Sequence, residues 1–311
     1  MVQRADIDAA AARIAGHVRR TPVIEIGPDE PGGPGWFKCE FLQHTGTFKA
    51  RGAVNRVLAA RESGELDPAV GIVVASGGNA GLANAYAARA LGVPATVFVP
   101  LIASAVKVAK LRAYGATVVQ HGNEYAEAYE AAQKAVADTG AVHCHAYDQP
   151  EIVAGAGTIG TELVEQLDGR VDTILVAVGG GGLMAGVAAA TEGVARVVGV
   201  EPVTIPTLHT ALAEGGPVDV PVSGIAADSL GARRIGEIAY EVACRTGVRS
   251  VLVSDDDLVA ARRRLWDGWR TAVEHGASAA YAALLSGAYR PEPGERVAVL
   301  LCGANTDPSD L

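Results

Sequence analysis

The sequence predicts an α/β protein with two layers of parallel sheet and a cleft between them. Short apolar segments alternate with helical segments along most of the chain, and this alternation favours parallel strands that are covered by helices on both faces. Glycine accounts for 38 of the 311 residues, and small residues let helices pack closely against a sheet. This length, with 49% hydrophobic residues, suits about two domains.

The elements of the first half follow from local patterns. The spacing of Ala, Ile and Val predicts a helix over residues 6–20, which ends at Thr21-Pro22 because the residue before a proline disfavours helical backbone. The β-branched and apolar runs then predict strands at 36–41, 71–75, 95–99, 117–120 and 141–143. The segments between them predict helices that end near 60, 91, 114 and 138.

A second run begins near residue 148 with a helix that reaches 167. It continues with strands at 173–178, 196–201, 250–253 and 296–301, and with helices at 183–191 and between 255 and 286. The segment 214–229, rich in Pro, Gly and Asp, interrupts the alternation. We therefore predict that residues 1–65 and 146–311 form a large domain and that residues 66–145 form a small domain nested in it.

Four consecutive glycines, Gly179 to Gly182, lie between a buried strand and a helix that begins near Leu183. Glycine lets backbone amides approach an anion, and the helix N-terminus adds partial positive charge, so the run predicts a phosphate-binding loop. A close packing turn is the structural alternative. The same stretch also fits a dinucleotide pattern, Gly180-x-Gly182-x-x-Ala185 with Glu201 ending the next strand, which makes a nicotinamide-dependent oxidoreductase a rival hypothesis.

Lys49 follows Thr45-Gly46-Thr47-Phe48 at the start of an Ala- and Val-rich helix. A lysine becomes nucleophilic when burial or a nearby cation disfavours its ammonium form. Phe48 and the helix can supply the burial, and Arg51 is a candidate for the cation. Taken alone, the stretch is equally compatible with a lysine that extends to solvent.

Two more loops follow predicted strands. The amides of Ser76-Gly77-Gly78-Asn79-Ala80-Gly81 can bind a carboxylate and Asn79 adds a polar side chain, although a capped turn explains the same pattern. Cys302-Gly303-Ala304-Asn305 follows the last strand. Ligands in open α/β sheets bind at the carboxyl ends of strands, whereas a buried cysteine by itself indicates only packing.

Together the four motifs resemble, in the same order, the fold type II (tryptophan synthase beta-like) pyridoxal-phosphate enzymes, and within them the serine/threonine dehydratase and serine racemase group. The resemblance covers nearly the whole chain. It implies two parallel-sheet α/β domains with the active site in the interdomain cleft, and pyridoxal 5'-phosphate as cofactor. It implies β-elimination of L-serine, L-threonine or a related β-hydroxy amino acid to a 2-oxo acid and ammonia.

The resemblance also assigns roles to residues. Lys49 would bind the cofactor covalently and later shuttle the Cα proton. The other implied cofactor contacts are Phe48 against the ring, Asn79 on the ring hydroxyl, Cys302 facing the ring nitrogen, and Gly179, Gly180, Gly181, Gly182 and Leu183 on the phosphate. The implied substrate contacts are Ser76, Gly77, Asn79 and Ala80, and Glu274 is a weaker candidate near the cofactor. The large domain would hold the cofactor and the small domain would lie on the substrate side.

Three features of the sequence bear on whether the protein also racemises amino acids or binds a metal. Racemase-type members carry a second serine where this chain has Gly77, so we expect no efficient racemisation. Thr207 stands where an acidic residue would complete a metal site with Glu201, so we expect no metal. The alternation of His143 and His145 would put both imidazoles on one strand face, but without a third ligand we interpret them as strand-end residues. Racemisation and β-replacement remain alternatives within the family.

The composition limits the classes of molecule that the protein is expected to bind. The net charge of −9 argues against nucleic acid and anionic membranes, and the longest apolar run, 174–190, is interrupted by the four glycines instead of spanning a membrane. Four scattered cysteines predict reduced thiols and a cytoplasmic protein. The predicted partner is a small amino-acid substrate, and the family suggests a homodimer.

Overall fold

The computed structural model describes residues 1–30 and 33–311, which form two sheets. The strands are β1 (Val23–Ile26), β2 (Gly35–Cys39), β3 (Ile72–Ala75), β4 (Ala95–Val99), β5 (Thr117–Gln120), β6 (Val142–Cys144), β7 (Thr173–Ala177), β8 (Arg196–Pro202), β9 (Arg249–Val253) and β10 (Val297–Leu301). The helices are α1 (Arg4–Ile14), α2 (Lys49–Ser63), α3 (Asn79–Leu91), α4 (Ala105–Ala113), α5 (Tyr125–Thr139), α6 (Pro150–Gln166), α7 (Gly182–Ala190), α8 (Thr207–Glu214), α9 (Ala227–Leu230), α10 (Glu237–Thr246), α11 (Asp255–Trp269) and α12 (His275–Ser286).

The larger sheet has the strand order β1-β2-β10-β7-β8-β9. Its strands from β2 to β9 are parallel, while β1 pairs antiparallel with β2. Every residue of β7 and β10 is buried, as expected for central strands covered by helices on both faces. This apolar centre places the carboxyl ends of β7 and β10, and therefore the glycine run and Cys302, at one edge of the sheet.

The smaller sheet has the order β5-β4-β3-β6, and all of its strands are parallel. Helix α2 packs on it, since Val54 and Val57 share a core with Ile72 and Val74 of β3. The same helix begins at Lys49, directly after residues that pair with the end of β10. Helix α2 therefore connects Lys49, which lies next to the end of β10 in the larger sheet, to the core of the smaller sheet.

Strand β1 and the helices α8, α9 and α10 were not predicted from the sequence. The first-turn amides of α8, at Leu208 and His209, donate to the carboxylate of Glu201. Those of α10, at Glu237 and Ile238, donate to Asp148. Helices α8 and α10 are thus capped by carboxylates outside their own first turns. Glu201 lies six residues before α8, whereas Asp148 lies 89 residues before α10. Across residues 1–30 and 33–311, no helix has the length and hydropathy to cross a membrane.

Candidate active site

Lys49 lies where the two sheets meet. Its Nζ donates to the backbone oxygen of Ala146 at 3.0 Å and lies 5.0 Å from the centroid of the Phe48 ring. Burial lowers the pKa of Lys49 from 10.5 to about 8, although the neighbouring Cys302 and Glu274 partly oppose this shift. Since the neutral amine is the nucleophilic form, Lys49 is poised to react near neutral pH.

The prediction that Arg51 supplies a cation beside Lys49 is wrong. The guanidinium of Arg51 donates from Nε to Glu40 at 2.9 Å and from Nη2 to Glu40 and Glu162 at 2.8 and 3.0 Å. Lys38 binds the same Glu162 at 2.5 Å. Arg51 is therefore neutralised in a buried ion network that anchors the first turn of α2, and burial alone accounts for the lowered pKa of Lys49.

The four glycines fit both explanations offered for them, close packing and an anion-binding loop. A Cβ on Gly180 would lie 2.4 Å from the ring of Tyr147, and one on Gly182 would lie 2.5 Å from the Tyr147 carbonyl oxygen. Gly181 has a φ of 84°, which favours glycine, and Gly179 packs on Leu230. The run leads into α7, whose first-turn amides, including that of Leu183, have no acceptor within their own helix. The loop is thus a cradle of open N–H groups with no room for side chains.

The asparagine loop belongs to the smaller sheet and is bound to residues of the larger one. Asn79 begins α3, and its Nδ2 donates to both carboxylate oxygens of Glu274, at 2.8 and 3.0 Å. Asn305 donates from its Nδ2 to the side-chain oxygen of Asn79 at 2.8 Å and from its backbone amide to Glu274 at 3.0 Å. Burial raises the pKa of Glu274, while these hydrogen bonds oppose the rise. The three side chains join the two sheets across the cleft.

The remaining loop residues present mostly backbone. The Oγ of Ser76 accepts from the amide of Gly78 at 3.3 Å, and the carbonyl of Ala80 accepts from Asn84 at 2.9 Å. A Cβ on Gly77 would meet the Val99 side chain at 3.4 Å, an ordinary contact, so the position has room for a small side chain. Glycine is therefore not required at position 77 to avoid a steric clash.

Cys302 is buried at the end of β10. Burial raises the pKa of its thiol to about 12, so the thiol is neutral at ordinary pH. Its backbone oxygen accepts from the amide of Phe48 at 3.1 Å, and Gly303 pairs with Thr47. A Cβ on Gly303 would lie 2.8 Å from the Glu274 carboxylate. The end of β10 is thus fastened to the residues just before Lys49, which fixes Cys302 in the same region.

Glu201, which the dinucleotide hypothesis needs as a ribose ligand, is not available for that role. The side chain is fully buried, and its oxygens accept from the amides of α8 and from the hydroxyl of Ser250, at 2.8 Å. The Thr207 hydroxyl oxygen lies 3.1 Å from the carboxylate and donates its proton to the carbonyl of Gly179 at 2.5 Å. Glu201 and Thr207 therefore support the glycine loop from behind.

Two contacts were missed by reasoning from sequence. Ala146 accepts from Lys49 and Tyr147 packs on Gly180, although neither belongs to a recognisable motif. Their position just after β6, at the carboxyl end of a parallel strand, is the signal that could have indicated them. His143 and His145 do lie on one face, with ring centroids 6.2 Å apart, and Tyr129 packs against both rings. In the part of the chain that the structure describes, no three His, Cys, Asp or Glu residues are grouped to hold a metal ion.

Comparisons with known proteins bear on this arrangement. The family described as "Pyridoxal-phosphate dependent enzyme" matches residues 14–303. The phenylserine dehydratase of Ralstonia pickettii is 40% identical over 97% of this chain and 94% of its own length. The L-threonine ammonia-lyase of Geobacter sulfurreducens is 38% identical over 97% of this chain and 75% of its own length. The solved structure of maize serine racemase superposes with a TM-score of 0.92 at 30% identity, covering 99% of this chain and 94% of that one.

The residues of the cleft fit the cofactor of this family. The cradle of Gly179 to Leu183 can accept a phosphate, and a lysine amine with a lowered pKa lies next to the segment that packs on the cradle. Both the predicted resemblance and the predicted fold class are confirmed. The chain belongs to the family of pyridoxal-phosphate dependent enzymes.

Proposed function

We propose that the protein eliminates water from an L-β-hydroxy amino acid (serine, threonine or a related compound), and that the released enamine is hydrolysed to a 2-oxo acid and ammonia. The observation that carries this proposal is the position of Lys49, whose amine has a pKa lowered to about 8. The amine contacts Ala146, next to the tyrosine that packs on the glycine cradle, and it is near Glu274, the partner of Asn79. Similarity to a phenylserine dehydratase and an L-threonine ammonia-lyase supports the reaction class.

Each part of the site has a separate task in this reaction. When bound, pyridoxal phosphate stabilises the negative charge that develops at the substrate Cα. The amides of Gly179 to Leu183 would hold its phosphate, and Phe48 would lie against its ring. The neutral amine of Lys49 accepts the Cα proton, which is general base catalysis at a lysine whose pKa is near the working pH.

The asparagine loop serves the substrate. The free amides of Ser76, Gly77 and Ala80, at the N-terminal end of α3, bind the substrate carboxylate with the help of the helix dipole. Asn79, held by Glu274, would lie beside the cofactor ring, and Cys302 would face the ring nitrogen. A neutral thiol provides no negative charge to keep that nitrogen protonated, which favours prompt elimination over racemisation.

Racemisation is the second candidate because of the similarity to maize serine racemase. Inverting the substrate requires proton transfer on the face opposite Lys49, and Gly77 has no side chain to provide it. β-Replacement would require a second nucleophile in the cleft. Incubating the enzyme with L-serine and resolving the amino acid on a chiral column tests racemisation, and rapid formation of D-serine would overturn the preference for elimination.

The proposal includes the organisation of the protein. We infer a large cofactor-binding domain (1–65 and 146–311), a small substrate-side domain (66–145), a homodimer and a cytoplasmic location. The strands of the smaller sheet all lie between residues 72 and 144, and the four cysteines are unpaired, as is usual in a reducing compartment. Light scattering on the purified protein tests the dimer, and a monomer at micromolar concentration would contradict it.

The central experiment uses the purified holoenzyme. We expect a visible absorbance band that borohydride bleaches, with the cofactor then attached to the peptide containing Lys49. Ammonia and 2-oxo acid should form from threonine, serine or phenylserine, and Lys49→Ala should lower the rate by at least about 10³-fold. Lys134→Ala, on the exposed side of α5, is the matched control and should keep full activity. A protein that stays colourless with added cofactor would refute the proposal.

A further inference from the structure

Five aromatic rings form a continuous chain beside the site. Tyr125 stacks on Tyr129 with centroids 6.1 Å apart, and Tyr129 meets His143 and His145 edge to face at 6.0 and 6.4 Å. His145 in turn packs against Tyr147 at 4.8 Å. We name these five residues the aromatic ladder. Two other groups of aromatic rings in the structure have three members each, whereas this one has five and ends beside Lys49.

The ladder begins at the reactive amine. Its inner end is the segment 145–147, where the carbonyl of Ala146 binds Lys49 and the ring of Tyr147 covers Gly180 of the phosphate cradle. Its outer end is the first turn of α5, where Tyr125 is 52% exposed. The ladder therefore extends from the cofactor region to the solvent on the side of the small sheet.

The ladder is also uncharged. Burial lowers the pKa values of His143 and His145, so both imidazoles are neutral at pH 7. The two guanidinium groups whose charge acts on the ladder already have carboxylate partners, since Arg56 binds Glu65 at 2.5 Å and Arg234 lies 3.3 Å from Glu237. Apart from Lys49 at the inner end, an acidic substituent would find no available cation there, whereas a flat apolar one would find ring faces and edges.

We propose that the aromatic ladder is the wall that receives the β-substituent of the substrate, and that it selects an aryl group over the methyl group of threonine or the hydrogen of serine. Tyr125 and Tyr129 are then specificity-determining residues that contact the aryl ring. This inference rests on the proposed function, because it concerns the side chain of the same substrate. Stacking and edge-to-face contacts are the interactions that distinguish an aryl ring from a small alkyl group.

The test compares kcat/KM for L-threo-phenylserine and L-threonine in the holoenzyme. We expect phenylserine to be preferred, and we expect Tyr125→Ala and Tyr129→Leu each to lower the phenylserine-to-threonine ratio by about tenfold. Tyr125 is about half exposed, so we expect Tyr125→Ala to fold, and urea unfolding of the variant separates an effect on specificity from one on stability. Tyr240→Leu, a tyrosine in α10 outside the ladder, is the matched control and should leave the ratio unchanged.

A binding measurement separates the two proposals. L-Phenylalanine and L-alanine have no β-hydroxyl, so their affinities, read from the change in cofactor absorbance, do not depend on elimination. If phenylalanine binds more tightly than alanine, and if Tyr125→Ala weakens the binding of phenylalanine, the role of the ladder is supported even when no substrate is turned over. Two results would contradict the role of the ladder and leave the proposed function intact. One is threonine turnover with the same phenylserine-to-threonine ratio of kcat/KM in the wild type and both variants. The other is equal affinity for phenylalanine and alanine.

Discussion

The side-chain amide of Asn79 donates to both oxygens of the Glu274 carboxylate, at 2.8 and 3.0 Å. Asn79 begins α3 on the smaller sheet, whereas Glu274 precedes α12 on the larger one. This contact therefore connects the two layers at the cofactor region. It also means that the expected cofactor contact of Asn79 depends on a partner that the sequence indicated only weakly.

The first prediction removes this contact. Asn79→Ala removes two of the hydrogen bonds to the buried carboxylate of Glu274. We expect a loss of about 1–3 kcal/mol in the free energy of unfolding. The pKa of Glu274, already raised by burial, should rise further because the bonds that oppose the shift are gone. Urea unfolding of the apoprotein measures the loss, and the exposed Asn123→Ala is the control. Equal stabilities for the two variants would contradict the structure.

The second prediction concerns pH. The cofactor aldehyde reacts with the neutral amine, and the lowered pKa of Lys49 means that this form is half populated near pH 8 instead of 10.5. The rate of cofactor uptake by the apoprotein should therefore rise with pH, with a midpoint near 8, as followed by visible absorbance. Glu274→Gln should move the midpoint to lower pH, because Glu274 favours the ammonium. A midpoint at the ordinary lysine pKa of about 10.4 would show that burial has no effect.

The third prediction tests the glycine cradle. Gly180→Ala places a methyl group 2.4 Å from the Tyr147 ring, so the loop or the ring must move. Overpacking of this kind costs about 1–3 kcal/mol, and we expect the cofactor Kd to rise by about tenfold or more. Titration of the apoprotein with pyridoxal phosphate measures this Kd. Gly268→Ala, in α11 with no atom within 4 Å of the new Cβ, is the control and should bind the cofactor normally.

The fourth prediction concerns the buried ions behind α2. Glu162 neutralises both Lys38 and Arg51, whose side chains are 0% and 2% exposed. Glu162→Gln leaves buried positive charge uncompensated and should lower the free energy of unfolding by about 3–5 kcal/mol. Glu165→Gln in the same helix breaks an exposed pair with Arg20 and should cost less than about 1 kcal/mol. Urea unfolding that gives the two variants equal stability would argue against the network.

Local patterns predicted the parts of this protein that depend on neighbouring residues. The apolar runs of β7 and β10 identified buried parallel strands, and the four motifs around Lys49, Asn79, the glycine run and Cys302 indicated the family and its cofactor. These signals are visible in sequence because strand burial, helix starts and glycine conformations are set within a few residues.

Only the tertiary structure decided which groups meet across the cleft. Arg51 lies two residues from Lys49 and yet belongs to the ion network with Glu40 and Glu162. Asp148 caps a helix that begins 89 residues later, and segment 145–147 brings aromatic rings to the reactive amine. The physical reason is that hydrogen bonds, ion pairs and burial depend on distances in space, and folding brings together groups that no spacing along the chain relates.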